Sequence, residues 1–165
     1  MADNLAIIKR VIEEHLTIRG HVKLVGDSVT DLEDLFALQK ARPNWVLSQL
    51  EALSERQKKL QQTLSFLDEG LKNHFGFEEK VLPPLFGELL MRALIIEHRG
   101  IKKQIDEAKS TVSDTKLEAL SQKELLSKKS QIQQKVESIL RLVEEHAVKE
   151  ETILKMLKTA LEAKG

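Results

Sequence analysis

Apolar residues recur along most of this chain at intervals of three and four, with polar residues between them, and that spacing predicts α-helix. The first stripe reads Ile8, Val11, Ile12, Ile18, Val22, Val25, Val29 and Leu32, with Asp3 or Asn4 placed to cap it. Gly26-Asp27-Ser28 is expected to kink this helix, and Thr30-Asp31-Leu32-Glu33 has the form of a capping box that would restart it. Arg42 precedes a proline and ends the segment. Pro43 suits the first turn of a second helix, whose stripe of Val46, Leu50, Leu53, Leu60, Leu64, Leu67 and Leu71 runs to about Val81. Pro83-Pro84 breaks it. A third stripe follows at once, with Leu89, Leu90, Leu94, Ile101 and Ile105, and fades after Ala108 into a turn over residues 110–115. Thr115 with Glu118, or Ser121 with Glu124, offers a capping box for a fourth helix. That helix carries Leu125, Ile132, Val136, Ile139, Leu140, Val143, Ile153 and Leu157 and ends at Gly165.

Short connections force sequential helices to lie antiparallel. The pattern therefore predicts an all-α protein, an up-down-up-down antiparallel four-helix bundle of long helices, with residues 1–165 as a single domain. Strict heptads do not persist, which ranks an elongated coiled-coil rod second. Composition agrees: Leu, Lys, Glu, Ala, Gln and Ile dominate, aromatics make up only 4%, and there is no Tyr.

Charge and cysteine content narrow the chemistry. Lysine plus arginine equals aspartate plus glutamate, so nothing advertises a nucleic acid or an anionic membrane as partner. No apolar run approaches the roughly 18 residues of a membrane span. The first residues carry neither a basic nor a long apolar region, so a cytoplasmic protein is expected. With no cysteine, the chain has no thiolate ligands, iron–sulfur ligation by cysteine or cysteine nucleophile.

Histidines change the picture most. Of five, four fall one per predicted helix: His15, His74, His98 and His146. Each follows an apolar residue by one turn (Ile12, Leu71, Ile95, Val143) and precedes another by two turns (Val22, Val81, Ile105, Ile153). They thus stand where the stripe calls for Leu or Val. In an antiparallel bundle their depths agree to within roughly two turns at ~1.5 Å per residue. His74 and His146 each have a glutamate one turn on, Glu78 and Glu150, on the same face. Polar groups in a dry core are expensive unless something satisfies them. A pair of cations does so, with neutral imidazoles donating and the carboxylates bridging. Nitrogen and oxygen donors without sulfur suit iron or manganese, with zinc or copper compatible on chemistry alone.

Other residues read more plainly. His21 is rotated off the His15 face and is expected as a boundary histidine rather than an auxiliary ligand. Glu14, Glu97 and Glu145 each precede a stripe histidine and point about 100° away, which reads as solvated, with an outer supporting role open. Glu151 competes with Glu150; spacing favours Glu150. Glu79 and Trp45 read as flank and packing residues.

With these residues in hand, the chain resembles the hemerythrin-like, or HHE cation-binding, family over nearly its whole length. The resemblance rests on "EEHLTIRGH", "HFGFEEKVLPPL", "IIEHRGI" and "VEEHAVKEE". It implies a four-helix bundle holding a non-haem di-iron centre, two iron ions bridged by carboxylates and an oxo or hydroxo group. It implies His15, His74, Glu78, His98, His146 and Glu150 as ligands. Oxygen-carrying members place a second histidine one turn after the third-helix histidine; here that position is Lys102. They also use an acidic ligand five residues after the last histidine, where Glu151 stands beside Glu150. The pattern is more like six-ligand members, associated with iron or oxygen sensing, nitric-oxide response and iron–sulfur repair. Glu-x-x-His, the pattern of the ferritin-like oxidases, is absent.

The expected function is a di-iron protein that binds or senses a small diatomic ligand or peroxide, a binding module before an enzyme. The alternatives are a di-iron enzyme acting on peroxide or nitric oxide or in iron–sulfur repair, and a metal-free helical interaction module.

Overall fold

The computed structural model describes residues 3–40, 47–114 and 116–163. Four long helices make up nearly all of it: α1 (Asn4–Lys40), α2 (Leu47–Val81), α3 (Pro83–Ser113) and α4 (Gln122–Ala163), with a short 3-10 turn at Leu117–Ala119. Asp3 caps α1, its carboxylate accepting from the Leu5 N–H at 3.0 Å. Of the two boxes offered for α4, Ser121 with Glu124 forms: each side chain bonds the other's backbone N–H, at 3.3 and 3.1 Å. Arg42, Pro43, Trp45, Val46, Thr115 and Gly165, on which other expectations of boundary, stripe and packing rested, lie outside the described residues.

Three expectations need correction. The kink at Gly26-Asp27-Ser28 and the restart at Thr30 do not occur, because α1 runs unbroken from Asn4 to Lys40. Ser28 fits the helix interior by donating to the Leu24 carbonyl at 2.8 Å, and its oxygen accepts from Thr63 of α2 at 3.2 Å. Second, α3 does not fade after Ala108; it continues to Ser113, burying Ala108 and Val112, and Gln57 of α2 donates to the Val112 carbonyl at 2.6 Å. Third, Leu89 is 79% exposed. Leu89 stands five residues before Leu94, roughly 140° around the helix from it; two residues earlier the helix is broken at Gly87, the one positive-φ residue among those described (φ 76°, ψ 171°). The buried face of α3 is then Met91, Leu94, His98, Ile101, Ile105, Ala108 and Val112.

A single buried residue, Leu82, joins α2 to α3, so Pro83-Pro84 does end α2. Packing is cyclic: α1 lies on α2 and α4, and α3 lies on α2 and α4. Two apolar clusters result. The larger includes Ile18, Val25, Leu60, Leu64, Leu67, Leu71, Phe75, Ile101, Ile105, Ile139 and Val143. The smaller is Ile8, Val11, Leu82, Met91, Leu94 and Leu154. Along α1 and α3 the small cluster comes first, then His15 or His98, then the large cluster. Along α2 and α4 that order reverses, with Glu78 on α2 and His146 and Glu150 on α4 between the clusters. A polar layer is thereby sealed between two dry ones. No helix among the described residues is long and apolar enough to cross a membrane.

Candidate metal centre

The polar layer consists of His15, His74, Glu78, His98, His146 and Glu150, each 5% exposed or less. All six residues expected from the stripes are brought together. Their donor atoms form two groups, His15–His74–Glu78–Glu150 and Glu78–His98–His146–Glu150, with the atoms of each group within 4.8 Å of one another. Both carboxylates belong to both groups. Glu78 turns Oε1 toward His74 (2.5 Å) and His15 (3.6 Å) and Oε2 toward His98 (3.1 Å). Glu150 turns Oε1 toward His15 (3.0 Å) and Oε2 toward His146 (3.4 Å). The imidazoles pair in the same way, His15 with His74 and His98 with His146, each pair 4.9 Å between ring centres. Phe75 stacks on His98 at 3.8 Å and meets His146 edge-on, closing one side of the layer.

The inner atoms are under-satisfied. His74 Nε2, His98 Nε2, His146 Nε2, both Glu78 oxygens and Glu150 Oε2 are buried without a hydrogen-bond partner. Each such group costs about 1–3 kcal/mol when left unpaired. A set of nitrogen and oxygen donors converging without sulfur matches hard or borderline divalent cations, so the residues present fit a pair of metal ions.

The carboxylates and imidazoles also shift one another's proton affinity. Burial opposes a charge on His15, yet Glu150 and Glu78 outweigh it and push its pKa up to about 10. Burial likewise opposes the rise at His146, which Glu150 nonetheless produces. Burial would raise the Glu78 carboxyl, but contact with His15, His74 and His98 holds it well below the usual carboxylate range.

Every inner histidine also bonds outward through Nδ1. Glu151 accepts from His15 at 3.0 Å, Glu14 from His74 at 3.3 Å, Glu79 from His98 at 2.8 Å and Glu97 from His146 at 2.7 Å. A carboxylate can only accept, so these bonds keep a proton on Nδ1 and leave Nε2 facing inward, the nitrogen free to give up its own proton to a cation. Glu14 and Glu97 are therefore not solvated bystanders, and Glu79 is more than a flank residue; Glu145 alone keeps its solvated reading and is exposed. Glu151 sits outside the inner groups, held by Arg19 at 2.7 Å as well as by His15. His21 is half-buried over Gly70 and belongs to neither group, although its Nδ1 is buried without a partner. Lys102 is exposed and lines a cleft of 260 Å³ between α2 and α3, with Lys72, Phe75, His98 and Arg99. A second cleft, of 190 Å³, reaches His146 between α3 and α4.

Comparison with known proteins agrees with the layer. The family model described as the hemerythrin HHE cation binding domain matches residues 6–157. No curated protein and no solved structure matches the chain. With that match taking in most of all four helices and every residue of the polar layer, the chain belongs to the hemerythrin HHE cation-binding domain family.

Proposed function

We propose that this is a cytoplasmic, single-domain, hemerythrin-like protein that holds two iron ions in the buried layer and binds or senses a small diatomic ligand or peroxide there. The carrying observation is the sharing of Glu78 and Glu150 between two four-residue donor groups, which suits two cations bridged by carboxylates. His15 and His74 would hold one ion, His98 and His146 the other. Bound iron would supply reversible coordination and redox chemistry; the chain supplies orientation, charge balance and exclusion of water. Four imidazoles and two carboxylates leave coordination positions for an added ligand, and the clefts beside His98 and His146 lie nearest to them from the surface.

The helices run up-down-up-down in this reading. The alternating order of the two apolar clusters along successive helices supports it, as does the single residue between α2 and α3.

Ligand binding is tested by titrating iron-loaded protein with nitric oxide or azide under nitrogen. A saturable change in the visible spectrum, complete near one ligand per chain, is expected. An unchanged spectrum with the metal in place contradicts the ligand-binding function. Catalytic consumption of peroxide or nitric oxide would instead move the protein among the enzymes.

A further inference from the structure

The four outward bonds form a closed ring. Glu14 of α1 reaches His74 of α2, Glu79 of α2 reaches His98 of α3, Glu97 of α3 reaches His146 of α4, and Glu151 of α4 returns to His15 of α1. Each glutamate adjoins, in sequence, an inner residue of its own helix, yet it serves the next helix. Three of the four are themselves held by a cation: Arg10 on Glu14 at 3.1 Å, Arg19 on Glu151 at 2.7 Å, and Lys149 on Glu97.

We propose that Glu14, Glu79, Glu97 and Glu151 are positioning residues that act as two pairs, each pair setting one of two cation positions. Glu14 and Glu151 orient the imidazoles of the first donor group, His74 and His15; Glu79 and Glu97 orient those of the second, His98 and His146. An imidazole ligand must keep its proton on Nδ1 and its ring plane aimed at the ion. The outer carboxylate supplies both constraints and makes the ring a better donor. Because the acceptor comes from the neighbouring helix, each position is also set by the helix–helix contacts around it. The inference rests on the metal-centre reading.

Zinc-loaded protein tests it, since zinc is diamagnetic and allows the imidazole protons to be observed by NMR. Wild-type protein should bind two zinc ions and show hydrogen-bonded Nδ1–H signals from all four inner histidines. Glu14→Ala should abolish that signal for His74 alone, and Glu97→Ala for His146 alone. Losing one such partner typically weakens metal affinity about 10- to 100-fold. Under a graded chelator challenge, the Glu14→Ala/Glu151→Ala and Glu79→Ala/Glu97→Ala doubles should each fall to one ion, at opposite positions. The matching Gln variants keep an acceptor oxygen and should recover part of the loss; they also carry the test if an Ala double fails to fold. Folded variants that keep both ions as tightly as wild type, or that lose both together, overturn the pairing. Wild-type protein that takes up no metal overturns the metal-centre reading itself, and the pairing with it.

Discussion

At the scale of single residues, the six inner positions were legible because each histidine stands at a stripe position where the neighbours one and two turns away are apolar. Spacing of four carried Glu78 and Glu150 onto the same faces, and both are buried against the histidines. The outer carboxylates were harder to read. Glu14 and Glu97 lie about 100° from the inward direction, which on an isolated helix means solvent. In a bundle, that direction meets the next helix, and glutamate is long enough to bridge the gap. The doublets Glu14-His15, Glu78-Glu79, Glu97-His98 and Glu150-Glu151 held the signal: one residue turned inward, its neighbour turned to the adjoining helix. His74→Ala and His146→Ala should each lose at least one of two bound ions, measured by elemental analysis of folded protein. His21→Ala, which removes a side chain outside both donor groups, should retain them. Metal retained in full by His74→Ala would break the ligand assignment.

At the scale of elements, helix number and most boundaries followed from periodicity, but backbone detail did not. Gly26 and Ser28 suggested a kink, yet Ser28 satisfies its hydroxyl inside the helix, and a Cβ at Gly26 would meet Leu140 of α4 at 3.8 Å, an ordinary packing distance. The real break falls at Gly87, whose single glycine gave no periodic warning because it follows the prolines by only three residues. Its conformation is open to glycine but strained for other residues, and no atom lies within 4 Å of an added Cβ. Gly87→Ala should therefore destabilise the protein through the backbone alone, by about 1–3 kcal/mol, read as a lowered urea midpoint with unchanged slope. Ser121→Ala should cost about 1 kcal/mol by removing the cap that starts α4. An unshifted midpoint in either variant would contradict the local account.

At the scale of the whole molecule, a polar layer between two apolar clusters makes stability and metal content one question. Several inner atoms are buried without a hydrogen-bond partner, and Glu150 and Glu78 favour a proton on His15 against burial. Bound ions would satisfy those atoms and couple to folding. At free metal about a thousand-fold above Kd, the folded state should gain about 4 kcal/mol, seen as a raised thermal midpoint that a chelator reverses. A midpoint indifferent to both metal and chelator would speak for a metal-free helical module. The most direct measurement is the iron content of untagged protein after anaerobic reconstitution with ferrous iron and removal of the excess. The shared positions of Glu78 and Glu150 predict about two iron ions per chain; fewer than one per chain would contradict the di-iron centre.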